Sequence, residues 1–230
     1  MFIPIYDYNR LEYVRFQYVT IAIIALATVL FFVFQSGLVF NAAKASALGL
    51  GVIPSVILDH KVLPPGYALI PEDLTLVTYA FVHGGWLHLI GNMLFIWVFG
   101  DNVEDAMGHV RFILFFCLCA AGAAGFHILI DPNSDAPLIG ASGAASGIIG
   151  AYLMLHPKIR LWILVLNKIP VPLSAAWALG AWIGLQVLNV LLPNDGNVAW
   201  WAHIGGLLTG AVLVVFLRRP GVKLLDGNAT

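Results

Sequence analysis

Six apolar runs, each near the ~20 residues a bilayer-spanning helix needs, limit what this chain can fold into more than any other feature. They fall at residues 16–39, 86–101, 110–130, 142–156, 171–192 and 199–217. The composition agrees: 60% of the 230 residues are hydrophobic and only 10% charged, where soluble domains carry about a quarter charged. The expected fold is an all-α polytopic membrane protein, a bundle of six spans. A tail at 1–15 precedes it, the membrane domain covers 16–218, and a second tail follows at 219–230. The first fifteen residues lack a signal peptide's short apolar core and cleavage site, so the first run is expected to remain as an anchor.

Lys and Arg set the orientation. With the N-terminus inside, Arg10, Arg15, Arg111, Lys158, Arg160, Lys168, Arg218, Arg219 and Lys223 are cytoplasmic, and only Lys44 and Lys61 face outward. Both termini are then cytoplasmic, at the plasma (inner) membrane in a bacterial host. Between the first two runs lies a long outer loop, residues 40–75, whose apolar stretch 52–58 is too short to span and is expected at the interface. No basic stripe or nucleotide-binding loop accompanies the net charge of −1, so no nucleic-acid partner is expected. Cys117 and Cys119 point in different directions on one helix and read as packing residues.

Polar residues inside such runs carry the functional information, because lipid penalises them. Ser142 lies in Gly140-Ala141-Ser142-Gly143 at the start of the fourth run, and His203 lies in Trp200-Trp201-Ala202-His203-Ile204-Gly205-Gly206. At about 1.5 Å per residue, Ser142 stands about 21 Å above His156 and His203 about 22 Å above Arg218. His88 and Asn92 stand about 20 and 14 Å above Asp101. Four polar side chains from three runs thus reach similar depths. The fourth run starts below the outer face after the polar loop 131–137, which calls for a wet cavity open to the outside.

A serine becomes a nucleophile when a neighbouring base takes its proton. Ser142 at a helix N-terminus also has free backbone N–H groups beside it, suited to a developing oxyanion. Taken alone, Gly-Ala-Ser-Gly-Ala-Ala-Ser-Gly reads first as a small-residue packing face, and Ser146 is a rival nucleophile. The Gly206-xxx-Gly210 pattern after His203 permits very close helix contact. If it meets the fourth run, Ser142 and His203 fall within reach of each other as a dyad with no acidic third member. His88 and Asn92, at i and i+4, share a helix face. They read as an interhelical pair or as donors to a tetrahedral intermediate. His83 and His88 are five apart with no intramembrane carboxylate beside them, so neither a metal nor a cofactor is expected.

Gly-Ala-Ser142-Gly opening a short helix, Ala202-His203-Ile-Gly-Gly-Leu-Leu-Thr-Gly210, and His83, His88 and Asn92 ahead of Phe99-Gly100-Asp101-Asn102-Val103-Glu104 and Gly108 together resemble the rhomboid intramembrane serine proteases. The resemblance implies a protease that cuts single-span membrane proteins in or near their transmembrane segment. Ser142 would be its nucleophile and His203 its general base. His88, Asn92 and the Ser142 N–H would form its oxyanion hole. The fifth run and the loop before the sixth would match the family's gate and cap. Two positions depart from the common pattern. Leu74-Thr75 stands where many members have Trp-Arg, and Ser146 where many have an aromatic residue against the catalytic imidazole. Trp200 or Trp201 could hold His203 instead. A non-catalytic relative that binds transmembrane clients is the alternative, and it would be expected to lack the serine or histidine that this chain keeps.

Overall fold

The apolar runs become helices close to where the sequence places them. The computed structural model describes residues 2–165, 168–192 and 198–225. The ends of the two predicted tails, Met1 and 226–230, and part of the loop before the sixth run, 193–197, lie outside the described residues. The first run forms α1 (Tyr18–Leu30) and continues through a π-helical turn, Phe31–Gln35. Three short helices follow: α2 (Ala43–Leu50), α3 (Pro54–Ile57) and α4 (Glu72–Thr78), the last extended by a 3-10 turn at Tyr79–Phe81. Then come α5 (Trp86–Met107), α6 (His109–Ile130), α7 (Ser142–Leu155), α8 (Ala175–Leu191) and α9 (Trp200–Leu217).

Among the described residues, three helical stretches suffice by length and hydropathy to cross a membrane: Tyr18–Gln35, His109–Ile130 and Trp200–Leu217. A fourth candidate is the pair Glu72–Phe81 and Trp86–Met107, bent by 87°. The α7 and α8 helices are apolar but shorter, at 14 and 17 residues. The outer-loop stretch expected at the interface is largely inside the protein: Val52, Ile53, Ser55 and Val56 are buried.

The fold is mostly helical but not all-α. Strands β1 (Phe2–Asp7), β2 (Arg160–Val165) and β3 (Ile169–Ser174) form an antiparallel sheet in that order. Leu161 and Ile163 are buried while Trp162 and Leu164 are only partly covered, the alternation of a half-buried strand. Pro170 and Pro172 cannot donate to a ladder, which is tolerable because β3 is an edge strand. The helix of the fifth run, α8, therefore starts at Ala175 rather than at 171.

The predicted second run also extends six residues past Asp101, to Met107. Its acidic end is bonded to the N-terminal segment. Asp105 accepts from the backbone N–H groups of Glu12, Tyr13 and Val14 at 2.9, 2.7 and 2.6 Å. Glu104 accepts from the N–H groups of Val19 and Thr20 and from the Thr20 hydroxyl. A carboxylate thus sits on the free donors of the first turn of α1, where the helix dipole favours negative charge.

The centre of the molecule is α7, buried along nearly its whole length. Its glycines lie directly against those of α9. A Cβ on Gly206 would strike the carbonyl oxygen of Gly143, and one on Gly210 would strike that of Gly147. The two helices therefore touch backbone to backbone, as their small-residue patterns imply.

Candidate active site

The loop before α7 is pinned at several points before it delivers Ser142. Val52 and Leu138 exchange backbone hydrogen bonds of 3.1 and 2.7 Å. Ser55 donates from its N–H to the Ser134 carbonyl and from its hydroxyl to Asp135, which also pairs with Lys61. The Gly140 N–H donates to the Tyr79 carbonyl at 3.0 Å, and the Tyr79 hydroxyl donates to Ala120 on α6. Ala141 donates its N–H to Nε2 of His83 at 3.4 Å. His83 thus holds the loop rather than facing the serine.

Close packing of α7 and α9 brings the two predicted residues together. Nε2 of His203 lies 2.9 Å from Oγ of Ser142, hydrogen-bonding distance for a hydroxyl donating to an imidazole. The rival serine is engaged elsewhere. Ser146 is buried and its hydroxyl donates to the Ser142 carbonyl at 2.7 Å.

His88 and Asn92 face the same loop from α5. At Gly140 the backbone has φ +108°, a conformation that favours glycine. A Cβ there would collide with Nε2 of His88 and lie 3.4 Å from Nδ2 of Asn92. Both side chains therefore sit two residues ahead of the serine. The Gly84 N–H lies 3.4 Å from Nδ1 of His88. That contact leaves Nε2 to carry the ring proton. Nδ2 of Asn92 is buried with no hydrogen-bond partner among the described residues. An unspent buried donor at this point is what an incoming oxyanion would use.

The imidazole of His203 is held by two aromatic rings. Trp200 meets it edge-on at 5.7 Å, and Trp182 of α8 lies nearly parallel to it at 6.4 Å. Trp201 pairs with Phe126 instead. Nδ1 of His203 lies 3.5 Å from Oε1 of Gln186, also on α8. Trp182 and Gln186 were not singled out from the sequence. An amide within an apolar run was the available signal for the latter, shared with Asn189 three residues on. Among the described residues, no three His, Cys, Asp or Glu side chains converge as a metal site would require.

Apolar helices of spanning length around a buried polar centre define an integral membrane protein with a serine–histidine pair in its core. Residues 71–220 match the family model described as the Rhomboid domain, and the chain belongs to the rhomboid family. It is 34% identical over 153 residues to RHOMBOID-like protein 5 of Arabidopsis thaliana, covering 65% of this chain and 46% of that protein. It is 33% identical over 150 residues to RHOMBOID-like protein 6, mitochondrial, of the same plant, covering 65% and 45%. Identity to Rhomboid protein 1, mitochondrial, of Saccharomyces cerevisiae is 27% over 168 residues, covering 68% and 47%. The chain spans about half the length of these relatives.

Proposed function

We propose that this protein is an intramembrane serine endopeptidase that hydrolyses a peptide bond in or near the transmembrane segment of single-span membrane proteins. The observation that carries the proposal is the 2.9 Å contact between Ser142 Oγ and His203 Nε2 within the membrane-embedded core. Ser142 attacks the scissile carbonyl as His203 takes its proton. The oxygen of the tetrahedral intermediate is met by Nε2–H of His88, Nδ2–H of Asn92 and the backbone N–H of Ser142 at the start of α7. His203 then protonates the leaving amine, and water activated by the same nitrogen releases the acyl group. The dyad works without a carboxylate.

In this reading α1, α5, α6, α7, α8 and α9 are six spans and both termini are cytoplasmic, as the distribution of Lys and Arg favours. The outer helices α2 to α4 brace the loop before Ser142 at the external side. The partners are single-span substrates and the bilayer itself. The test is cleavage of a tagged single-span reporter in cells by wild type and by Ser142→Ala, Ser146→Ala and His203→Ala. The proposal expects cleavage by wild type and Ser146→Ala, and none by the other two. A wild type that binds reporters across several helix-destabilised sequences yet cuts none would move the protein to client binding.

A further inference from the structure

We propose that Gln186 is a positioning residue for His203, its side-chain oxygen accepting Nδ1–H so that the Nε2 lone pair stays on Ser142. The inference rests on the Ser142–His203 reading above. A neutral imidazole carries one N–H and one lone pair, and only the tautomer protonated at Nδ1 can take a proton through Nε2. Something must hold that tautomer. Among the described residues, the ring nitrogens of His203 have two hydrogen-bonding partners, Ser142 on one side and Gln186 on the other.

The placement of Gln186 is otherwise hard to account for. It lies on α8, whose Trp177, Leu185, Leu188 and Leu191 are exposed, yet its own side chain is turned inward and only 6% exposed. Burying an amide without a partner is unfavourable. Trp182, at i−4 and so on the same face of α8, lies against the imidazole ring. One helix face thus covers both the ring plane and the rear nitrogen. The 3.5 Å separation is at the outer limit of a hydrogen bond. Such catalytic contacts are commonly long before substrate binds and shorten afterwards. An amide oxygen orients the ring without adding the charge a carboxylate would bring.

The test uses the full chain with 15N-labelled histidine, comparing wild type, Gln186→Met and Gln186→Glu. Imidazole 15N shifts report the tautomer of His203 independently of turnover, and reporter cleavage reports kcat, KM and the pH profile. The wild type is expected to carry its proton on Nδ1. Gln186→Met, similar in length but without the acceptor, is expected to show mixed tautomers and a kcat about tenfold lower at unchanged KM, about 1.4 kcal/mol. Gln186→Glu is expected to restore the single tautomer and move the acidic limb of the profile to higher pH, because a carboxylate favours the protonated ring. The proposal is overturned if Gln186→Met keeps the wild-type tautomer and kcat. It is equally overturned if both variants lose activity alike with the limb unmoved, the pattern of a packing defect. A wild type that cleaves nothing overturns the protease reading, while the 15N shifts still decide the role of Gln186.

Discussion

Substitution of Gly206 by alanine tests whether the contact between α7 and α9 sets the geometry of the proposed Ser142–His203 dyad. The added Cβ would run into the carbonyl oxygen of Gly143, a backbone atom that cannot rotate aside. Restoring an ordinary nonbonded distance requires the helices to part by on the order of 1 Å. Gly206 is three residues from His203, about 4.5 Å along the helix, so little of that displacement is dissipated before the dyad. The 2.9 Å contact between Ser142 and His203 would lengthen to about 4 Å, beyond hydrogen-bonding reach. A misplacement of this size lowers turnover about a hundredfold, and overpacking of a close contact destabilises by about 1–3 kcal/mol. The assay is reporter cleavage by purified protein beside its thermal midpoint, with Gly180→Ala on α8 as control. A Cβ on Gly180 meets nothing within 4 Å, so that variant is expected to keep full activity. Wild-type turnover by Gly206→Ala would refute the reasoning. An equal loss in Gly180→Ala would do the same.

Three further outcomes follow from the fold. Asp105→Ala leaves three backbone N–H groups of residues 12–14 without their acceptor; it is expected to lower stability by about 2–4 kcal/mol and to open the N-terminal segment to proteolysis. An unchanged midpoint and cleavage pattern would contradict that. Burial raises the Asp7 carboxyl from 3.8 to about 7, so the folded state holds a proton that the unfolded state releases between those values. Its contribution to stability therefore falls as pH rises from about 4 to about 7. Asp7→Asn, which keeps an oxygen for the Tyr152 hydroxyl, is expected to flatten the decline in unfolding midpoint between pH 5 and pH 8; an unaltered slope would refute it. His83→Ala removes the acceptor for the Ala141 N–H beside Ser142 and, on the proposed function, is expected to lower kcat about tenfold, roughly the worth of one lost hydrogen bond. Measured turnover equal to wild type would show that the loop holds without it.

Much of the helical layout could be read from the sequence because spanning helices need long apolar runs, and lipid makes each interior polar residue conspicuous. Counting helical rise from the charged inner ends put Ser142 and His203 at one depth, and the meeting of glycine faces brought them into contact. The sheet was missed because 171–174 reads as part of the fifth run, while 160–170, carrying Arg160 and Lys168, reads as a loop between spans. Pro170 and Pro172, two apart, were the sign that a helix could not begin there. The extension of α5 to Met107 was hidden because Glu104 and Asp105 look like solvated charges. Their acceptors are filled by backbone donors roughly eighty to ninety positions away in the chain. The role of Gln186 was hidden for a related reason, since its partner belongs to another helix and only the packing of α8 on α9 brings them together.

The most direct test of the central claim is to react the membrane-embedded protein with a fluorophosphonate and locate the adduct by peptide mass spectrometry. The account expects a single adduct on Ser142, abolished in His203→Ala and retained in Ser146→Ala. An adduct on Ser146, or equal labelling of Ser142 with and without His203, would contradict the dyad.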